Sequence, residues 1–182
     1  LSTCVNGPGT YVGGTCGPDP LPGGVKYLVF AAADIDTTSA TAITDKTSAA
    51  QWQAALNAGA VEIAGPVLAS VSEASPNEQK VSSCSPSKAV NYVREIPFSD
   101  FNTTTDNTSF WNDIKRNSLG LKFGYVGCDG ECYGFVENFT VQVTRVKDED
   151  SDTGATKWQG TVRYTKMDEE VPATFPTTLS WS

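Results

Sequence analysis

Asp129-Gly130 stands between two runs in which apolar and polar residues alternate, Leu119–Cys128 and Cys132–Arg145, and no other feature restricts the fold of this chain so tightly. A period of two puts successive side chains on opposite faces of an extended strand, and Asp-Gly readily adopts the positive backbone angles of a tight hairpin. An antiparallel hairpin is predicted. Phe139–Val146 and Trp158–Thr165 form a second strand pair, joined by the long polar loop Asp148–Thr156. Lys26–Ala33 reads as a buried strand, and Val61–Ile63 and Val67–Val71 as strand fragments around Gly65-Pro66. Val90–Phe98 alternates as a strand that Pro97 ends or confines to an edge. Asp34–Ala42 reads as a loop or an edge, Ser72–Lys80 as a polar loop, and the tail Val171–Trp181 as a last edge strand.

Two segments carry helical spacing instead. Ala49–Asn57 follows a cap at Thr47-Ser48, places Trp52, Ala55 and Leu56 on one face and stops at Gly59. Ser109–Asn117, capped by Thr108 or Ser109, buries Phe110, Trp111 and Ile114 and ends before Gly120. The fold class that follows is mainly β (α+β): an antiparallel β-sandwich or partly closed barrel with two short helices, over residues 25–182. Residues 1–24 hold seven glycines and four prolines and read as an extended arm ahead of that domain.

The 182 residues contain no histidine, which removes the usual general base of nucleophilic triads and the commonest nitrogen ligand for metals. A cysteine nucleophile would lack that base, and neither phosphate-loop glycine pattern occurs. Asp34, Asp36, Glu62 and Asp100 offer carboxylates, but nothing in their spacing singles out a pair for glycoside hydrolysis. No enzymatic activity and no cofactor are expected. Thirteen basic against twenty-one acidic residues give a net charge of -8, which argues against a grip on nucleic acid and suits a wall past which DNA slides without sticking. The longest candidate for a membrane span, Val25–Ala33, is strand-length, so no membrane partner is expected.

Five cysteines cannot all pair within one chain. Cys4 and Cys16 flank a glycine-rich stretch that a bridge would pin, and Cys128 and Cys132 flank the Asp-Gly turn, where free thiols, a strand-end disulfide and half of a zinc site are the alternatives. Asp148, Asp150 and Asp152 alternate as in calcium loops, but Thr153 and Gln159 stand where a helix-loop-helix site needs Gly and Glu. The reading is a projecting polar loop. Asn102, Asn107 and Asn138 each begin an N-x-[ST] triplet, which matters only in a secreted eukaryotic chain.

Ile96-Pro97-Phe98, Phe110-Trp111-Asn112-Asp113-Ile114-Lys115, Cys128-Asp129-Gly130-Glu131-Cys132-Tyr133-Gly134 and Lys157-Trp158 together resemble the virion structural proteins of tailed phages. The likeness covers less than half of the chain. It implies a subunit located in the virion whose sandwich repeats in a tail tube or related ring, with partners in copies of itself and other virion proteins, and with DNA at most passing an acidic lumen. Asp148, Asp150 and Asp152 would then lie on a loop reaching the next ring. The alternative is a bacterial surface or secreted β-sandwich binding module, an adhesin or carbohydrate-binding domain, which an exposed Trp158 or Trp181 would favour.

Overall fold

The computed structural model describes residues 23–37, 39–80, 82–147 and 156–181. Cys4, Cys16, nearly all of the arm and the loop carboxylates Asp148, Asp150 and Asp152 lie outside the described residues. In chain order the elements are β1 (Val25–Ala32), α1 (Ala49–Asn57), β2 (Val61–Ala64), β3 (Leu68–Ala69), β4 (Ser75–Gln79) and β5 (Lys88–Asp100). They continue with α2 (Thr105–Asn117), β6 (Leu121–Gly127), β7 (Glu131–Val136), β8 (Thr140–Lys147), β9 (Thr156–Lys166) and β10 (Ala173–Thr174). The strands hydrogen-bond in the order β10-β7-β6-β1-β3-β5-β9-β8, with β2 also on β1 and β4 also on β5. Every pairing is antiparallel. Among the described residues the two ends of that order do not meet, so the sheet is an open, sandwich-like arrangement and not a barrel.

The hairpin at Asp129-Gly130 forms as its sequence requires. Gly130 takes φ +82°, its N–H donates to Gly127 O at 3.1 Å, and Asp129 Oδ1 accepts from the Glu131 N–H at 3.0 Å. Further along the hairpin the register slips: Phe123 pairs with Val136, but Gly124 pairs with Gly134, leaving Phe135 as an extra residue. A Cβ on Gly134 would come within 2.6 Å of Gly124 Cα, so both positions need glycine. The bulge changes which face the strand presents, and Cys132 and Phe135 both join one core while Val136 joins the other.

β1 is buried on both faces. Leu28 and Phe30 enter a core shared with Ile96 and Phe98 of β5, Phe123 of β6, Val143 of β8 and Val162 of β9, and α2 adds Trp111 and Ile114. Phe30 lies against the rings of Phe110, Trp111, Phe123 and Phe139 at centroid separations of 5.6 to 6.0 Å. Val29 and Ala31 point the other way, into a core with Trp52 and Ala55 of α1, Val61 of β2, the loop residues Ile35 and Ile43, and Phe175 of the tail. Each large side chain removed from water contributes roughly 1.5–3 kcal/mol. α1 and the tail therefore cover the core on one face of β1, while β5, β6, β8, β9 and α2 enclose the aromatic core on the other.

The first helix spans the residues expected, with Ser48 as its N-cap and Gly59, at φ +68°, just beyond its end. The second begins at Thr105 under a Thr104 cap, one turn before the expected Ser109. Its first turn, Thr105–Thr108, is wholly polar, so the hydrophobic spacing becomes visible only at Phe110. Asp106 near its start and Lys115 and Arg116 near its end match the helix dipole. Ser75–Gln79, expected as a polar loop, is strand β4; all five residues are exposed, so burial imposes no alternation on them. Pro97 neither ends β5 nor sits on an edge strand, since it lies opposite Thr161 of β9. Glu95, two residues earlier on the same side, is bonded to Ser72, and β4 reaches only to Val93 and β3 only to Phe98. The missing N–H of Pro97 thus points into the gap between β3 and β4, where no ladder bond is forfeited.

Candidate functional site

Among the described residues β2, β4, β8 and β10 each leave one edge without a strand neighbour, and two of these combine that edge with basic side chains or with a cleft. The first is the outer edge of β8. It pairs with β9 through all eight of its residues, and among the described residues no strand lies on its other side. Only Val143 is fully buried, and Thr140, Gln142, Thr144, Arg145 and Lys147 are exposed. α2 packs close to β8 through the core but gives it no backbone hydrogen bond.

The second is a cleft of about 360 Å³ along β2, whose only strand partner among the described residues is β1. Glu62 to Gly65 form one wall. The opposite wall comes from the corner between β5 and α2, with Asp100, Asn102, Asp106 and Asn107, and Phe110 and Trp181 supply its apolar surface. Asp100 is 4% exposed and holds the corner together: its Oδ2 accepts from Trp111 Nε1 at 3.1 Å and its Oδ1 from the Asn102 N–H at 2.9 Å. Asn107 Nδ2 donates to Asn102 O at 3.1 Å, tying the first turn of α2 to the same corner. Both Asp100 oxygens already accept from the protein. Glu62 and Asp106 are exposed, and neither forms an ion pair with a described cation. The cleft is thus an acidic groove with an open strand edge on one side.

Of the carboxylates offered by the sequence, Glu62 and Asp100 meet in this cleft, while Asp36 instead accepts from Lys122 Nζ at 2.6 Å. Lys122 is 7% exposed and also faces Glu137 at 3.2 Å. Its hydrogen bond to Asp36, reinforced by Glu137, raises its pKa against the opposing effect of burial. This is an ion cluster that fastens the loop after β1 to β6. Asp106 and the two asparagines were not visible as a group, because Phe101–Thr108 (FNTTTDNT) shows only sequons and candidate caps.

Cys128 and Cys132 are not bridged to each other, and among the described residues both are free thiols. The register sets Cys132 opposite Val126 and leaves Cys128 in the turn, exposed, two residues beyond that pairing. Cys132 lies in the core beneath α1, where desolvation pushes its thiol up to about 12 and keeps it protonated at neutral pH. Among the described residues no three His, Cys, Asp or Glu side chains converge on a point suited to a metal ion. Trp158 is buried at 4% exposure, and Trp181 is 37% exposed, held edge-on by Tyr27 at a centroid separation of 5.6 Å. No helix among the described residues is long and apolar enough to cross a membrane. No protein-family model, curated protein or solved structure matches the chain.

Proposed function

We propose that this chain is a non-enzymatic structural subunit of a tailed-phage virion, a tail tube or related ring, that assembles with copies of itself and with other virion proteins. The observation that carries the reading is the open edge of β8, an eight-residue strand with no strand on its outer side among the described residues. An edge of that length exposes a row of N–H and C=O groups that a further strand satisfies. The net charge of -8 suits a lumen through which DNA passes without adhering. Negative-stain electron microscopy over a concentration series, with molar mass from light scattering, tests it. Rings or tubes of uniform diameter are expected; a monomer throughout the series would overturn self-assembly.

Trp181 favours a second reading, a β-sandwich module that binds carbohydrate. Its partly exposed indole borders a cleft containing carboxylates and carboxamides, groups that suit the apolar faces and hydroxyls of a sugar. A glycan array separates the two: saturable binding that Trp181→Ala abolishes supports the module, and an array with no signal removes it.

A further inference from the structure

Taking the self-assembly reading as its basis, we infer that the β8 edge of one copy docks along the β2 edge of the next, its basic residues entering the acidic cleft beside β2. Arg145 and Lys147 lie two residues apart, on the strand face that carries Val141 and Val143, and both extend beyond the buried part of β8. Both are exposed, and neither forms an ion pair with a described carboxylate. The cleft presents the opposite case. Glu62 and Asp106 are exposed acids without a described cationic partner, and Glu62 sits on a four-residue strand whose far side is unpaired among the described residues.

Among the described residues each edge supplies what the other lacks, in backbone hydrogen bonds and in charge. Basic residues on an edge normally discourage indiscriminate pairing, because a second basic or apolar strand meets unpaired charge. An acidic groove is the partner they admit, so the charges select a particular edge while the backbone ladder supplies contact. Phe110 and Trp181 add an apolar wall at the same place. The two surfaces belong to different parts of the subunit, which makes the contact head-to-tail. Such contacts propagate into a ring or a helical tube instead of stopping at a symmetric dimer.

Charge exchange tests the interface. Arg145→Glu with Lys147→Glu, and separately Glu62→Lys with Asp106→Lys, each raise the concentration needed for assembly by about tenfold or more, equivalent to ~1.4 kcal/mol. The fourfold variant carrying both exchanges restores opposite charges across the contact and returns to within about threefold of the unmodified chain. Circular dichroism melts establish that each variant is folded. The unmodified protein provides a check that needs no substitution, since raising salt from about 50 to about 500 mM shortens the reach of the charges and weakens assembly. An unmodified chain that assembles, yet ignores both exchanges and salt, overturns this interface and leaves the self-assembly reading standing. A fourfold variant as impaired as its parents also overturns it. A chain that never assembles overturns the reading and the interface together.

Discussion

β1 and β8 have the same length, eight residues, and opposite situations. β1 is paired on both edges, by β6 on one side and by β2 and β3 on the other, and only Lys26 is exposed. Among the described residues β8 has one strand neighbour and a single fully buried residue. Strand length is thus a poor guide to what a strand does here; the apolar run of β1 against the alternation of β8, and the neighbours each meets, decide. β1 holds two cores together, whereas β8 leaves one row of backbone groups and its basic side chains open among the described residues.

The largest expected effect tests the central side of that contrast. Phe30→Ala removes the ring on which four other aromatics converge and should cost about 3–5 kcal/mol in denaturant unfolding, whereas Gln142→Ala on β8 should stay within about 0.5 kcal/mol. Equal losses would mean that β8 is as structural as β1. A smaller effect separates two buried tryptophans. Trp111 donates to Asp100, but Trp158 Nε1 has no hydrogen-bond partner among the described residues. Trp111→Phe leaves a buried carboxylate short of a donor and should cost about 1–3 kcal/mol more than Trp158→Phe, measured by the same unfolding curves.

Lys122 gives a pH-dependent prediction. Because its folded pKa is raised, its contribution is complete below the ordinary lysine value and is lost as pH rises through the folded value. Lys122→Met should lower stability at neutral pH by about 1–2 kcal/mol, and the gap to the unmodified protein should narrow in strongly alkaline buffer. A gap independent of pH would show that the aliphatic stem matters and the charge does not. The smallest stability effect belongs to Arg145→Glu, within about 0.5 kcal/mol by thermal melting, because the side chain is exposed and has no described acidic partner.

Much of the fold was legible where side chains alternate between core and solvent. The Asp129-Gly130 hairpin, the β8–β9 pair and the helix around Trp52 follow from period and turn chemistry alone. Legibility failed where backbone, not side chains, sets the structure. β4 is exposed on both faces, the first turn of α2 is polar, and Pro97 is tolerated because of a gap between strands distant in sequence. The cleft failed for a related reason. Glu62, Asp106 and Trp181 come from three separate parts of the chain, and their meeting depends on where β3 turns the sheet from β1 to β5. Cys128 and Cys132 show the limit of turn-based pairing: proximity around a hairpin does not place two side chains opposite each other when the register pairs Cys132 with Val126.

The most direct measurement is hydrogen exchange of individual backbone amides, followed by NMR in dilute protein and after assembly by exchange, quenching and dissolution. The account predicts that β1 amides are protected in both states, while outward-facing β8 amides exchange quickly in the dilute subunit and become protected on assembly. β8 amides that exchange at the same rate in both states, with protection appearing elsewhere or nowhere, would contradict the claim that this edge joins one copy to the next.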